Sequence, residues 1–316
     1  MKISVVIPNY NGEKLLKKNL PRICAVLESA DQKVEVIITD DASKDESLAI
    51  IQEFILSKKA TLPIHVVENK RNQGFSSNVN RGVQKATGDV ILLLNTDVIP
   101  EKGFISPLLV HFDDPYVFAV GCMDKSIEGD KTILRGRGLG KWEKGIFIHA
   151  RGEVDRKNTL WVSCGSGMFR KSIWDKLGGL DPLYNPYYWE DIDLSYRALK
   201  SGYKLIFEPE STVIHEHDLG SIKTQKSQEN ITRHAYRNQF IFIWKNVTDT
   251  KLFLNHIMWM PLHFLKAIIR RDIAYVQGLL SALAKLNSVV SSRMKAKKYF
   301  NLTDKQVVLT APISVE

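Results

Sequence analysis

The chain reads Gly88-Asp89-Val90-Ile91-Leu92-Leu93-Leu94-Asn95-Thr96-Asp97 in the stretch that decides its fold. The five apolar residues from Val90 to Leu94 follow one another without polar alternation, as in a strand that is covered on both faces in a parallel sheet. The strand then stops at an amide, a hydroxyl and a carboxylate, at the edge where open α/β sheets bind ligands. These oxygen ligands suit a hard divalent cation, although an isolated triplet of this kind is more often a simple polar turn.

The hydrophobic pattern before this strand predicts an alternation of strands and helices. Residues 2–7, 34–39 and 64–67 are typical of short β-branched strands, and helical spacing follows each of them. Four strands alternating with three helices indicate a Rossmann-like, mostly parallel α/β sheet with helices on both faces. Neither a Gly-x-Gly-x-x-Gly after the first strand nor a Gly-x(4)-Gly-Lys-[Ser/Thr] occurs. Further along, residues 135–144 predict a loop and residues 161–169 a glycine-interrupted strand.

Polar clusters follow the predicted strands and open two of the helices. The first strand ends at Pro8-Asn9-Tyr10-Asn11 and the second at Asp40-Asp41, while Asn72-x-Gly74-Phe75 opens the third helix. A later helix is opened by Glu190-Asp191-Ile192-Asp193, directly after the aromatic run Tyr187-Tyr188-Trp189. Taken alone, each cluster has a structural explanation as a turn, a helix cap or a carboxylate favoured by the helix dipole.

In their order and spacing, these motifs resemble those of the family 2 glycosyltransferases, which have the GT-A fold, over roughly residues 1–220. Within that family the chain is similar to bacterial rhamnosyltransferase-like enzymes of polysaccharide synthesis. Further matches are Ala86-x-Gly88-Asp89, Gly178-Gly179-Leu180-Asp181 and Val213-x-His215. The stretch Asn95-Thr96-Asp97 occupies the place of the family's Asp-x-Asp metal motif. It departs from that motif at its first position, where Asn95 replaces Asp, so that a bound cation would lose one anionic contact.

The resemblance implies an inverting, metal-dependent transfer of a sugar from a nucleoside diphosphate sugar to a glycan or lipid-linked glycan acceptor. It assigns the general base to Asp191, because an attacking hydroxyl needs a carboxylate to take its proton. It makes Asp97 a ligand of Mg²⁺ or Mn²⁺, with His215 as a further ligand and His217 as the competitor of His215. For two of the three aromatic residues before the acidic group, buried packing is at least as good an explanation as sugar stacking. The implied nucleotide-sugar contacts are Pro8, Asn9, Tyr10, Asp40, Asn72, Gly74, Phe75, Asn95 and Thr96, and the implied acceptor contacts are Trp189 and Glu190.

The basic charge of the chain is concentrated at its C-terminal end. Residues 221–316 contain 15 Lys and Arg against 5 Asp and Glu, which gives this segment a net charge of +10. Residues 1–220 contain the remaining 29 Lys and Arg against 30 Asp and Glu, a net charge of −1, so that the whole chain carries +9. Apolar residues at helical spacing lie among these charges and predict amphipathic helices, which either pack on the front domain or dock on an anionic membrane. The resemblance favours the membrane, because family members often use lipid-linked acceptors. A membrane span of about 20 apolar residues is not expected, since the apolar segment from residue 252 to 265 is shorter and interrupted.

The predicted organisation has three parts: a nucleotide-sugar-binding half (residues 1–100), an acceptor-binding half (101–220) and a basic helical extension (221–316). The chain begins directly with a strand and its three cysteines are widely spaced, so we expect a location in the cytoplasm, including the inner face of the cytoplasmic membrane. Two other classes of protein share part of the pattern. A sugar-phosphate nucleotidyltransferase needs a glycine-rich basic loop after the first strand. A basic lipid- or nucleic-acid-binding protein needs charge along the whole domain, so no nucleic-acid partner is expected.

Overall fold

The computed structural model describes residues 1–57, 59, 61–215 and 227–313 of the chain. Within these residues, nine strands form one mixed sheet and two more form a separate hairpin. His217, the competitor of His215, lies outside the described residues. The strands are β1 (Ile3–Asn9), β2 (Val34–Asp40), β3 (Ile64–Glu68), β4 (Val90–Leu94), β5 (Val98–Pro100), β6 (Val117–Glu128), β7 (Lys131–Arg135), β8 (Gly138–Glu143), β9 (Ile146–Arg151), β10 (Ser166–Arg170) and β11 (Lys204–His215).

The sheet has the strand order β3-β2-β1-β4-β10-β6-β11-β5, with β7 paired to β6 and with β8 and β9 forming the hairpin. Strands β1 to β4 are parallel, as the alternation predicts. Strand β10 is antiparallel to both of its neighbours, β4 and β6, whereas β11 is parallel to β6. Residues 161–165 are not part of β10, contrary to the prediction, because the chain turns at Cys164 and Gly165 before pairing begins. Residues 138–143, predicted as loop, form β8.

The helices are α1 (Glu13–Glu28), α2 (Ser47–Leu56), α3 (Phe75–Lys85), α4 (Ile105–Leu109), α5 (Lys171–Leu177), α6 (Glu190–Lys200), α7 (Gln228–Asn246), α8 (Thr250–Arg270), α9 (Ile273–Leu283), α10 (Leu286–Lys297) and α11 (Asp304–Val308). Two short 3₁₀ helices cover Val110–Asp113 and Pro182–Tyr184. The predicted start of α6 at Glu190 is confirmed.

Strand β4 is buried along its whole length, as its sequence predicts. Ile91 and Leu93 face a hydrophobic core that contains side chains of α3, α6 and α7. Val90, Leu92 and Leu94 face a second core that contains side chains of α1, α2 and α4. Because fully burying one such side chain contributes roughly 1.5–3 kcal/mol, this strand is a major source of stability and a rigid support for the residues that follow it.

The turn that precedes β4 is fixed by a buried carboxylate. Glu35 accepts hydrogen bonds from Ser4 Oγ at 2.6 Å and from Thr87 N at 2.8 Å. Burial alone would raise the pKa of the Glu35 carboxyl, but hydrogen bonds from Ser4 and Lys2, among others, lower it to about 2. Only glycine fits at position 88, since a Cβ there would lie 2.7 Å from Ser4 N. These contacts hold β4 in register beside β1, so that Asn95 follows at the same edge as Asn9.

The C-terminal helices are an integral part of the fold. Residues Phe240 to Asn246 of α7 are buried in the core that also contains α6, and α7 packs against α9 and α10. Of the two predicted alternatives for the C-terminal helices, packing on the front domain is therefore the one that holds for α7. Helix α8 is a continuous helix of 21 residues. The expectation that the segment from residue 252 to 265 is too short and too interrupted to span a membrane is therefore wrong about the length of the helix. It is the one described helix long and apolar enough to cross a membrane alone, and α9 with α10 would pass only as a pair bent by 66°.

Candidate active site

The carboxyl ends of β1 and β2 lie side by side at the ligand-binding edge of the sheet. Asn9 is paired with Asp40, and Asn9 Nδ2 donates to Asp40 Oδ2 at 2.8 Å. Ser43 N donates to the other oxygen of Asp40 at 2.8 Å, and Asp40 is fully buried. Pro8 lies within β1, whereas Tyr10 is half-buried just beyond it. The structure thus brings these predicted nucleotide-sugar contacts together. The buried Asp40 carboxylate is held there by hydrogen bonds from Asn9 and Ser43.

Asp41, which the sequence analysis did not single out, holds the loop that leads into α3. Its carboxylate accepts hydrogen bonds from Gln73 N at 2.9 Å and from Gly74 N at 2.8 Å. Gly74 has a φ of +86°, and a Cβ there would lie 2.8 Å from Asn185. Asn72 is exposed beside this turn. The requirement for glycine at position 74 therefore comes from the close approach of the segment that leads to α6.

The N-terminus of α3 is engaged by that same segment. Phe75 N donates to Pro186 O at 3.1 Å, and Ser76 N donates to Asn185 Oδ1 at 3.0 Å. The predicted donor-side start of α3 is therefore in direct contact with residues 185 and 186, which precede the predicted acceptor contacts Trp189 and Glu190.

The residues after β4 lie at the same edge of the sheet as the ends of β1 and β2. Asn95 N donates to Gly165 O at 3.0 Å, and a Cβ at Gly165 would lie 2.8 Å from Asn95 Nδ2. Asn19 Nδ2 of α1 donates to Thr96 O at 2.9 Å. The Asn95 Oδ1 atom is buried without a hydrogen-bond partner in the part of the chain that is described. It is a preformed acceptor site that a cation or a ligand donor would satisfy.

His215 lies between two carboxylates at the end of β11. Its Nε2 is 3.4 Å from Asp97 Oδ2, and its Nδ1 is 2.8 Å from Asp124 Oδ2. Burial alone would lower the pKa of His215, but the hydrogen bonds and charges of Asp124 and Asp97 raise it to about 9. The pairing of β11 with β5 and β6 creates this cluster. The sequence analysis missed Asp124, whose only signal is a carboxylate within an otherwise largely apolar strand.

These residues can hold a divalent cation that is completed by ligand oxygens, and on binding the cation would displace the proton that the raised pKa keeps on His215. The contact of Nδ1 with Asp124 orients His215 so that Nε2 faces Asp97, which is the arrangement of many metal-binding histidines. Across the described ranges, no group of three or more His, Cys, Asp or Glu side chains is arranged to hold a metal ion by itself. Asp97 and His215 would therefore supply two ligands, with Asn95 Oδ1 nearby in sequence, and a diphosphate would supply others.

The acidic start of α6 contains two carboxyls with different protonation behaviour. Burial raises the pKa of Asp191 to about 6, although the backbone N–H of Ile192 donates to it at 2.8 Å. Burial, followed by the nearby charge of Asp191, raises the pKa of Glu190 well above its usual range. Asp191 therefore has the lower pKa of the two and is the first of the pair to ionise as pH rises. Such a separation is typical of acid and base pairs in active sites.

Asp193, the third carboxylate of this motif, has a structural role. It is completely buried and accepts hydrogen bonds from Arg197 Nε, Lys245 Nζ and Asn246 Nδ2, each at 2.8 Å. Burial opposes ionisation, but the charges of Arg197 and Lys245 outweigh it and lower the pKa of Asp193. This ion network joins α6 to α7.

The turn at Cys164 and Gly165 connects the acidic helix with the edge that follows β4. Burial raises the pKa of the Cys164 thiol well above its usual range, and the charges of Asp191 and Glu190 raise it further. Val162 N, just before this turn, donates to Ser195 Oγ of α6 at 3.1 Å, and Gly165 O accepts from Asn95 N at 3.0 Å. The end of β4 and helix α6, which are far apart in the sequence, are thus connected through residues 162–165.

The two residues before α6 have left-handed backbones. Tyr188 has a φ of 72° and Trp189 a φ of 76°, and such conformations cost roughly 1–3 kcal/mol each in residues other than glycine. Trp189 is only 5% exposed, and its ring packs against those of His149 and Phe242. For Trp189 the structure has the buried packing that the sequence analysis gave as the alternative to sugar stacking. Tyr188, 38% exposed, presents the accessible ring.

Comparison with known proteins gives a consistent result. Residues 4–178 match the family model described as Glycosyl transferase family 2. The pre-mycofactocin glycosyltransferase of Mycobacterium tuberculosis is 27% identical over 222 residues, which are 68% of this chain and 43% of that protein. The O-antigen chain rhamnosyltransferase RfbN of Salmonella typhimurium is 24% identical over 224 residues, which are 69% of this chain and 67% of that protein. This chain thus spans less than half the length of the mycobacterial relative.

A solved structure is similar in fold. The crystal structure of GalNAc-T7 with UDP, GalNAc and Mn²⁺ superimposes with a TM-score of 0.63 at 19% identity, covering 79% of this chain and 48% of that one. The predicted GT-A architecture with a C-terminal helical extension is confirmed.

Proposed function

Because this chain belongs to glycosyl transferase family 2, we propose that it moves a sugar from a nucleoside diphosphate sugar to an acceptor hydroxyl with inversion at the anomeric carbon. The observation that carries the proposal is that residues 162–165 contact both the segment after β4, which carries the predicted cation ligand, and the helix that carries the predicted base. Gly165 O accepts a hydrogen bond from Asn95 N, two residues before Asp97, and Val162 N donates to Ser195 of α6, the helix that carries Asp191. Cation-dependent binding of a nucleotide sugar is the experiment that tests it.

The donor is proposed to bind in residues 1–100, along the edge formed by Asn9, Asp40 and the residues after β4. A divalent cation held by Asp97 and His215 would neutralise the charge that grows on the diphosphate leaving group. The buried oxygen of Asn95, which has no hydrogen-bond partner among the described residues, supports the proposal. A neighbour in fold that was solved with UDP, GalNAc and Mn²⁺ supports the donor class by analogy.

The acceptor is proposed to bind in residues 101–220, at the start of α6. Asp191 takes the proton of the acceptor hydroxyl as its oxygen attacks the anomeric carbon, and its raised pKa suits a base that works near neutral pH. One base acting in one displacement accounts for inversion. The buried Glu190 lies beside it, and the exposed ring of Tyr188 offers a surface for the acceptor sugar.

The two rival classes have less support. A sugar-phosphate nucleotidyltransferase and a non-enzymatic basic binding protein each explain one feature of the sequence, whereas the family match covers residues 4–178. Similarity to an O-antigen chain rhamnosyltransferase supports a role in cell-surface polysaccharide synthesis, with a glycan or lipid-linked glycan as acceptor.

We further propose that α8 lies on the inner face of the cytoplasmic membrane as a peripheral element. One side of α8 is fixed to the β8–β9 hairpin, because His256 is 2.7 Å from Gly145 O and Asn255 accepts from Trp142 at 3.0 Å. The opposite side is apolar and uncovered, and the cations Lys266, Arg270 and Arg271 lie exposed near its end. The exposed apolar residues of α8 include Leu254, Ile257, Met258, Leu262, Leu265, Ile268 and Ile269. Because one side of α8 is bound along the β8–β9 hairpin, the helix is better placed to lie on a membrane surface than to cross it.

The membrane proposal predicts salt-sensitive binding to anionic vesicles. The wild-type protein should sediment with phosphatidylglycerol-containing vesicles at low salt and be released by high salt, since exposed charges are screened over roughly 8 Å at physiological ionic strength. Leu265→Glu, at a site that is 55% exposed, should greatly reduce sedimentation. Leu56→Glu, at an 80% exposed leucine of α2, should leave it unchanged. Equally weak binding to neutral and anionic vesicles would contradict docking, and extraction only by detergent would mean that α8 inserts.

A further inference from the structure

Helix α7, from the C-terminal extension, binds the backbone that precedes the catalytic helix α6. The side-chain amide of Asn238 donates to three carbonyl oxygens, those of Tyr184 at 3.1 Å, Tyr187 at 2.9 Å and Tyr188 at 2.7 Å. Asn238 is completely buried. The two N–H groups of one side chain therefore contact three of the five backbone carbonyls of residues 184–188, and Tyr184 O also accepts from Arg237 Nη2 at 3.3 Å.

Arg237 supports the same turn from the preceding position of α7. Its Nη2 donates to Asn185 O at 2.6 Å, and its Nε donates to Asn238 Oδ1 at 2.9 Å. The second contact holds the Asn238 amide in the orientation that points its N–H groups at the carbonyls. Arg237 and Asn238 thus form a unit that joins α7 to residues 184–188.

The turn needs this support because its conformation is unfavourable. Tyr188 and Trp189 both have positive φ values, and neither is glycine. Conformations of this kind persist only where the surroundings impose them. The next residues, Glu190 and Asp191, inherit their position from this turn, because α6 begins at Glu190. Without the Asn238 amide the turn can relax, and the Asp191 carboxylate moves with it.

We propose that Asn238, oriented by Arg237, is a positioning residue that places the Asp191 carboxylate at the acceptor hydroxyl. The inference rests on the proposed function of Asp191 as the general base. It gives the C-terminal extension a part in catalysis that is separate from any contact with a membrane. It also explains why an amide with two N–H groups, instead of an apolar side chain, fills this position in the core.

The first test compares Asn238→Ala with Gln239→Ala. Gln239 is the next residue of α7, and its amide also donates to a backbone carbonyl, that of Phe147 in β9 at 3.0 Å. Asn238→Ala should lower kcat about 100-fold, the effect expected from a displacement of about 1 Å at a reacting group. The donor KM and the donor-induced rise in Tm should stay as in the wild type. Gln239→Ala should keep kcat within a few-fold.

The second test is a double-mutant cycle with Asp191→Asn. If Asn238 acts through Asp191, Asn238→Ala should cost little further activity once the carboxylate is absent, because residues that act as a unit are not additive. An equal fold-loss in the wild-type and Asp191→Asn backgrounds would overturn the inference and leave the base assignment intact. Full activity of Asp191→Asn alone would instead overturn the proposed base, and this inference with it.

Arg237→Lys tests the same unit with a milder change, in case Asn238→Ala does not fold. Lysine keeps the charge, but it cannot bind Asn185 O and orient the Asn238 amide at the same time. Its kcat should fall about 10-fold with an unchanged donor KM, and this loss should also vanish in the Asp191→Asn background. A loss of Tm with an unchanged kcat would show that the unit only stabilises the fold.

Discussion

Replacing Asp191 with Asn is expected to lower kcat by about 10²–10⁴ while donor binding stays nearly unchanged. The change is isosteric, so the hydrogen bond from Ile192 N to the side chain can persist. The structural contribution of a carboxylate to a partly buried helix start is at most about 2 kcal/mol, which is too small to explain most of this range of loss. The measurement is kcat for glycosyl transfer, alongside donor-induced stabilisation as a check on the nucleotide site.

The same assignment predicts a pH dependence with a definite sign. Because the pKa of Asp191 is raised to about 6, the base is ionised above that pH and protonated below it. Wild-type kcat should therefore fall as pH decreases through about 6, and the residual activity of Asp191→Asn should not show this fall.

Glu190→Gln is the matched control for Asp191→Asn. Burial and the charge of Asp191 raise the pKa of Glu190 well above its usual range, so an uncharged amide should disturb this position little and the variant should stay within a few-fold of the wild type. Asp193→Asn is a less suitable control, because Asp193 anchors Arg197 and Lys245 and its loss should lower Tm. If Glu190→Gln is far more damaging than Asp191→Asn, the base has been assigned to the wrong carboxylate.

Replacing Asp97 with Ala is expected to abolish detectable transfer and to remove the metal dependence of donor binding. Asp97 is the carboxylate that faces Nε2 of His215, and without it the cation keeps only a histidine from this pair. The fold should persist, since His215 retains its contact with Asp124. Titration calorimetry of Mn²⁺ in the presence of nucleoside diphosphate measures the loss without reference to activity.

Asp89→Ala is the control for that experiment. Asp89 is an exposed carboxylate at the opposite end of β4, where it accepts a hydrogen bond from Lys2 N at 2.8 Å. Its replacement removes the same charge from the same strand and should leave Mn²⁺ binding unchanged. Retention of Mn²⁺ binding by Asp97→Ala would exclude Asp97 as the cation ligand.

The features that the sequence predicts best are those set by local pattern. The apolar run Val90 to Leu94 marks a strand buried on both faces, and the structure confirms it. The start of α6 follows equally from its acidic first turn. In both cases neighbouring residues carry the signal, since periodicity and helix capping act over a few positions.

The features that the sequence did not reveal depend on contacts between distant segments. Asp124 meets His215 because β6 and β11 pair, and no local pattern distinguishes it from any other carboxylate in a strand. Asn238 is equally inconspicuous within an aromatic helix, because its role comes from three carbonyls about 50 positions earlier. The burial of Trp189 likewise reflects packing by Phe242 of α7.

The length of α8 was misjudged for a related reason. Polar residues and Pro261 interrupt its apolar pattern, which favours a break in an isolated segment. In the folded chain, two of these polar residues, Asn255 and His256, bind the β8–β9 hairpin, so they mark the packed side of one continuous helix.

The most direct test of glycosyl transfer is the binding of nucleotide sugars with and without a divalent cation. The wild-type protein is heated with a panel of UDP-, GDP- and dTDP-sugars, each with Mn²⁺, with Mg²⁺ or with EDTA, beside the Asp97→Ala variant. We expect one class of nucleotide sugar to raise Tm only when a cation is present, since a ligand at 100 times its Kd stabilises by about 2.7 kcal/mol. Asp97→Ala should lose this rise. The proposed donor site is contradicted if no nucleotide sugar raises the Tm of the wild type. It is also contradicted if the rise in Tm is as large with EDTA as with a cation and as large in Asp97→Ala as in the wild type.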